Sequence, residues 1–392
     1  MAKVTKRAWT GSNGEERTAW LVRYDDVQGK RRYKQFSHKK RADAYLLKVQ
    51  GEVQSGVHIA DADSISVAEA AENWLKWARF EELEPTTIDS YDQHARLHIV
   101  PFLGDRKLGS LTKPDVETFR DTLMESGRSR DMAKRVVRSL FAIIKEAERL
   151  GHANRNVAQG VRVRQSRRSQ RRPIIPTKAE LARLVSATDN TRPGDKAMLM
   201  VLIFAGLRAS ELRALQWRHV DLKAKTITID QRADRKNIVG PPKSASGYRE
   251  IDIPDQLVAE LRRWHIQCRP SKQNYIFPSE AGTPQFHANI VTRFLHPIQI
   301  AAGTTRHKVV KGKPVFDENG EPAIEGIYTL HCFRHAAASL WIDQRTEAKQ
   351  IQEWMGHHSI VVTFDTYGHL FPGDDDRNQK LTQAAGRLLS LR

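Results

Sequence analysis

Cysteine is nearly absent. Cys268 and Cys332 are the two in 392 residues, too few for a disulfide framework and without metal-ligand spacing between them. No apolar run approaches the ~20 residues that a membrane-spanning helix needs. The opening residues, Met1-Ala2-Lys3-Val4-Thr5-Lys6-Arg7, lack the apolar stretch of a secretory signal. A Gly-x-x-x-x-Gly-Lys loop for nucleotide phosphates is missing, and so are clustered carboxylates suited to divalent ions. Acidic residues are outnumbered, 46 against 64 lysines and arginines, for a formal net charge of +18 and a pI near 9.9. These absences argue against a disulfide-stapled secreted domain and a membrane-spanning protein. What they leave is a reduced, cytoplasmic protein with a polyanionic partner, nucleic acid ahead of an acidic membrane surface.

The length suffices for two or three domains with substantial cores. Residues 1–60 read as three short strands and a helix. Trp20, Val22 and Tyr24 alternate as in a half-buried strand, and Ala42, Leu46, Val49 and Val53 stripe a helix over Lys39–Gln54. Basic residues here (Lys30, Arg31, Arg32, Lys34, Lys39, Lys40, Arg41) interleave with Tyr33 and Phe36, which suits either a solvated face or a small sheet set in a DNA groove. Residues 66–164 read as all-helical. Ser66 and Glu69 form a capping box, Pro85 opens a second helix, Thr112 with Pro114 opens a third, and 130–150 is the longest. Arg128, Arg130, Lys134, Arg135 and Arg138 make a basic stripe able to follow a phosphate backbone. Residues 165–176 form a basic linker with too little apolar surface to fold. From Thr177 to the end, 177–392, helices mix with a small sheet. Strands are expected near 226–230 and 248–253, a helix capped by Asp255, a helix over 287–300 interrupted at Pro297, and an inserted hairpin over 306–326 turning at Asn319-Gly320. An amphipathic stretch, 379–391, closes the chain. The fold class is therefore multidomain and mainly α with small β-sheets.

Residues 329–370 concentrate the chemistry. Thr329 reads as a helix N-cap, which sets His331, Arg334 and His335 at i, i+3 and i+4 on one face. A second helix over 347–355 stops at Gly356, releasing His357, and Tyr367 follows on a short segment. An arginine, several imidazoles and a phenol gathered so closely suit the holding of a phosphodiester while a tyrosine attacks it.

Taken in order, Gly206-Leu207-Arg208-Ala209-Ser210-Glu211-Leu212, His331-x-x-Arg334-His335, Met355-Gly356-His357-x-Ser359 and Tyr367 resemble the signature of the tyrosine recombinases, the phage integrase family. The resemblance implies a mixed α+β catalytic domain over 177–392, a core-site DNA-binding domain over 66–164, and, less specifically, an arm-binding module over 1–60. It implies Arg208 and Arg334 as the phosphate-clamping arginines, His331 as the catalytic histidine and Lys243 as the hairpin lysine. His357 is then the second imidazole and Tyr367 the nucleophile. It also implies recombination of specific sites in double-stranded DNA by a homotetramer, without a cofactor, and leaves room for accessory DNA-bending or excision proteins. Cys332-Phe333 stands where a polar residue and leucine are more usual, and Met355 where leucine is common. Neither departure removes a reacting group.

The residue types suit this chemistry independently of the resemblance. Two guanidiniums stay protonated and can neutralise the added charge of a pentacoordinate phosphorus. A tyrosine of pKa ~10 must lose its proton; His331 or His335 can assist, with His331 preferred. The leaving 5′ oxygen needs a proton, which Lys243 can bring. Each residue alone has a blander reading. Arg208 beside Glu211 is an ordinary ion pair, His335 a core residue, and Tyr367 a core-edge tyrosine. His331 and His335 could form a zinc pair, but the glutamate of His-Glu-x-x-His is missing. Alternatives of other classes are a non-catalytic DNA-binding regulator, which needs no Tyr367, and a metal-dependent nuclease, which needs carboxylates. A type IB topoisomerase would share the active-site chemistry.

Overall fold

The computed structural model describes residues 2–10, 15–56, 58–60, 63–164, 173–310 and 312–371. The chain divides into two compact units, Met1–Gln170 and Arg171–Arg392.

The first unit opens with an antiparallel sheet of β1 (Lys3–Thr10), β2 (Glu16–Asp25) and β3 (Arg31–Phe36), in that spatial order. Helix α1 (Lys39–Gln54) covers one face, burying Val22 and Tyr24 against Ala42 and Val49. Strand alternation sends the other set outward. Lys3 lies opposite Arg23, Trp9 opposite Arg17 and Arg23 opposite Tyr33, so one face carries cations with two aromatic rings. Tyr33 is 76% exposed there.

Helices α2 (Val67–Phe80), α3 (Pro85–His94), α4 (Val100–Leu103), α5 (Lys113–Glu125) and α6 (Arg130–Arg149) follow. The capping box at Ser66 forms as the sequence suggests, and the cap expected at Thr112 is a full box with Asp115. Val136, Leu140, Ile143 and Ile144 of α6 are buried with Trp74 and Phe119, while Arg128, Arg130, Lys134, Arg135 and Arg138 stay exposed.

The second unit is built around α8 (Asp195–Phe204), whose residues Ala197 to Ile203 are all buried. It follows α7 (Lys178–Ala187) and leads to α9 (Ala209–Ala214). Strands β4 (Val220–Asp221), β5 (Thr226–Ile229) and β8 (Arg249–Asp252) form a sheet in the order β4-β5-β8, and β6 (Arg232–Ala233) pairs with β7 (Val239–Gly240) in the connection. Helix α10 (Asp255–Gln267) begins after Pro254, which occupies the cap position without a side-chain hydrogen bond, so Asp255 lies in the first turn rather than at the cap.

Pro297 does not interrupt its helix. α11 (His287–Ile290) passes through a wide π turn over Val291–Leu295 into α12 (His296–Ala301). The His296 N–H reaches back to Val291, so the backbone absorbs the steric demand of the proline ring without breaking. The same device precedes Pro101, where the Val100 N–H donates to Ala95 O.

The 306–326 insertion is more branched than one hairpin. β9 (Thr305–His307) pairs with β12 (Ile324–Gly326), and β10 (Val309–Val310) pairs with β11 (Lys313–Pro314) between them. Asn319-Gly320 lies in a turn organised by the Asp317 carboxylate. The unit continues with α13 (Leu330–Asp343), α14 (Ala348–Met355) and α15 (Ile360–Tyr367). The amphipathic stretch 379–391 and most of the basic linker lie outside the described residues.

Candidate active site

Two glycines in left-handed conformations set the frame. Gly206 (φ 59°) ends the turn after α8; a Cβ there would stand 2.9 Å from Ala337 Cβ and 3.0 Å from the Trp341 ring, so only glycine lets the chain lie this close to α13. Its carbonyl accepts from Arg334 Nη1 at 2.7 Å. Gly356 (φ 58°) ends α14, where a Cβ would come within 2.8 Å of the Ser246 carbonyl oxygen. The last carbonyls of α14 have no intrahelical donors and carry partial negative charge. Met355 O accepts from Arg208 Nη2 at 3.3 Å and also from Arg334 Nη2, and Gly356 O accepts from Arg208 Nη2 at 3.0 Å. One helix end thus brings both guanidiniums to the same carbonyl.

Arg208 caps α9, donating its N–H to Glu211 Oε2 at 2.8 Å and Nη1 to Oε1 at 2.7 Å. The ion pair read from the sequence exists, but it is one part of a larger network. Arg249, missed from sequence, donates to both oxygens of Glu211 at 3.0 and 2.7 Å, to Trp354 O at 2.7 Å and to Gly247 O at 3.1 Å. Burial alone would raise the Glu211 carboxyl, but Arg249, Arg208 and Arg334 outweigh it and hold it at about 2. Arg334, 1% exposed, is lowered to about 9 by burial and the Arg208 charge, and so remains a cation at neutral pH.

Because the Glu211 carboxyl is depressed, its stabilisation is complete above the ordinary value of 4.5 and is lost as pH falls toward about 2. Melting temperature followed against pH should fall through that window. Glu211→Gln should remove this part of the slope and cost about 3–5 kcal/mol at neutral pH, because buried arginines lose their counter-charge.

Tyr367 closes α15 and is 1% exposed. Its hydroxyl lies 2.7 Å from His335 Nδ1. Burial raises the phenol to about 12, against the opposing pull of Arg334. His335 is lowered to about 4 by burial, then by His331 and Arg334. His331, on the same helix, stays exposed, with its ring edge-on to His335 at 4.6 Å between centroids. Lost hydration and the charges of Arg334 and Arg208 lower it too. His357 bonds through Nδ1 to Thr363 Oγ1 at 2.9 Å and is lowered to about 4 by burial and the same two arginines. The Cys332 thiol accepts from the Thr329 N–H at 3.4 Å, serving as the third residue of the α13 cap, which accommodates this departure.

Lys243 is not drawn into this constellation. It is exposed on the loop between β7 and β8, with no hydrogen bond or ion pair among the described residues. The loop's other end is anchored to the site through Gly247 O on Arg249 and Ser246 O beside Gly356. Among the described residues no three histidine, cysteine or carboxylate side chains stand together as a metal-binding group. No helix among them is long and apolar enough to cross a membrane.

Residues 176–373 match the model of the phage integrase family, and residues 66–124 match that of the phage integrase N-terminal SAM-like domain. The chain belongs to the phage integrase family. It is a tyrosine recombinase, an enzyme of site-specific DNA strand exchange. It is 26% identical to the ICEBs1 integrase of Bacillus subtilis over 278 residues, 70% of this chain and 71% of that protein. It is 26% identical to an integrase of Streptomyces ambofaciens over 93% of this chain and 94% of that one. Its fold is shared with the Tn1549 transposon integrase in complex with a circular intermediate DNA, with a TM-score of 0.66 at 17% identity over 82% of this chain and all of that one. Arg208, Arg334, Glu211 and Arg249 thus share one hydrogen-bonded network, whose Glu211–Arg249 clasp, like the separate His335–Tyr367 contact, joins residues distant in sequence.

Proposed function

We propose that this integrase cuts double-stranded DNA one strand at a time through a 3′-phosphotyrosyl intermediate, inserting or excising a phage or other mobile element. The observation that carries this reading is the pair of guanidiniums on one helix end, with a buried tyrosine in the electrostatic reach of Arg334. Arg208 and Arg334 hold the non-bridging oxygens with planar donor forks and offset the charge of the pentacoordinate state. His331 and His357 add donors at the rim. Tyr367 attacks phosphorus, and Lys243, carried in on its loop, protonates the departing 5′ oxygen. The bond energy stays in the phosphotyrosyl ester, so no nucleotide or metal is required. A covalent protein–DNA adduct should form on a duplex bearing the core site in the presence of EDTA; its loss on chelation contradicts the reading.

Exchange of both strands between two duplexes breaks four phosphodiesters, and one tyrosine per strand calls for four copies on DNA. In the first unit, the cationic stripe of α6 suits the core site, and the outer sheet face with Arg7, Arg17, Arg23 and Tyr33 suits a groove of a second, arm-type site. Such a protein acts in the bacterial cytoplasm, on the chromosome. Removing residues 1–60 should leave the core footprint and cleavage intact while abolishing recombination that depends on arm sites. Footprinting decides it: loss of core protection on truncation would mean that the sheet is no separate reader.

A further inference from the structure

We propose that His335, rather than His331, takes the phenolic proton of Tyr367 as the tyrosine attacks. The inference rests on the reading of Tyr367 as nucleophile. The hydroxyl of Tyr367 meets Nδ1 of His335 at 2.7 Å, whereas His331 and Lys243 make no hydrogen bond to it among the described residues. The contact is built in: α13 holds His335 half-buried, α15 ends at Tyr367, and the rings meet edge to face at 5.6 Å between centroids. A base must lie within hydrogen-bond reach of the proton it removes, and His335 alone of the imidazoles does so here.

The same geometry keeps the nucleophile silent without DNA. The groups facing His335 are His331 and Arg334 on its own helix and Tyr367 on α15. Burial and the Arg334 cation disfavour an imidazolium, and burial disfavours a phenolate, so the proton rests on oxygen. A phosphodiester seated on Arg334 and Arg208 offsets the repelling charge and raises the imidazole's proton affinity. The O–H bond of Tyr367 then breaks toward Nδ1 while its oxygen bonds to phosphorus. The P–O5′ bond breaks, and the 5′ oxygen takes a proton from Lys243. Religation runs the steps backward, with the imidazolium returning the proton to the phenol oxygen.

The test is single-turnover adduct formation on a nicked core-site duplex, followed against pH. Unmutated protein that makes no adduct overturns the nucleophile reading itself. If it makes the adduct, its rate should fall about tenfold per pH unit on the acid side and level off above the imidazole's titration. A rate that climbs without a plateau would overturn the proposal with no variant needed. His335→Asn keeps an acceptor at the δ position but cannot take a proton. It should bind DNA normally, lose ~10²–10⁴-fold in rate at neutral pH, and regain rate as hydroxide removes the phenol's proton. A fluorinated tyrosine at 367, with a more acidic phenol, should restore much of that loss. A uniform loss at all pH values that fluorination leaves unchanged, or no loss at all, would show that His335 only positions the ring.

Discussion

Tyr367→Phe should bind the core site with unchanged affinity and form no covalent adduct. The phenol oxygen contributes little to the frame around it. Arg208 and Arg334 are held by Gly206, Met355, Gly356 and Glu211, none of which contacts the hydroxyl. The ring fills the same buried position beside Ile351 and Met355 in the variant. The hydrogen bond to His335 is lost, a stability cost of about 1 kcal/mol, because the imidazole keeps access to water on its half-exposed side. The phosphate clamp therefore survives and the reacting atom does not. Cleavage should drop on the order of 10⁶-fold, the scale for removing a nucleophile. Gel shift and denaturing electrophoresis on the same samples read the two quantities separately. Adduct formation by the phenylalanine variant would place the nucleophile elsewhere.

Lys243→Ala carries the second large effect, and its interpretation depends on the substrate. The side chain is exposed and free of protein partners among the described residues, so folding should be untouched. As a mere phosphate contact it would shift the salt dependence of binding by about one charge and leave chemistry nearly intact. As the general acid it should be worth ~10²–10⁴-fold in cleavage with binding little changed. A substrate with sulfur in place of the bridging 5′ oxygen separates these cases, since a thiolate departs without a proton. On that substrate Lys243→Ala should recover most of its rate. Arg208→Ala should stay impaired, because its guanidinium serves the phosphorus centre whichever atom leaves. Equal defects of Lys243→Ala on both substrates would assign the proton to another group.

Features fixed by neighbours along the chain were legible in the sequence. The capping box at Ser66, the cap at Thr112, the α1 stripe and the stop at Gly356 depend on a few adjacent residues, and each forms as expected. The site was legible as a set of residue types but not as a network. Glu211 and Arg249 are 38 residues apart and meet because β5 pairs with β8 and sets Arg249 beneath α9. His335 and Tyr367 meet across 32 residues through the packing of α13, α14 and α15. Helical spacing sets His331 and Arg334 near one face, yet Gly206 and the end of α14 cover Arg334 and leave His331 open. Local rules predict a break at Pro297, because they take no account of a π turn that accommodates the ring.

The atom that joins protein to DNA decides the mechanism most directly. Adduct trapped on a nicked core-site duplex can be digested with trypsin and nuclease, and the linked peptide sequenced by mass spectrometry. The expected product is a nucleotide joined through its 3′ phosphate to the oxygen of Tyr367, with a free 5′ hydroxyl on the released strand. A link to any other residue, or to a 5′ phosphate, would contradict it.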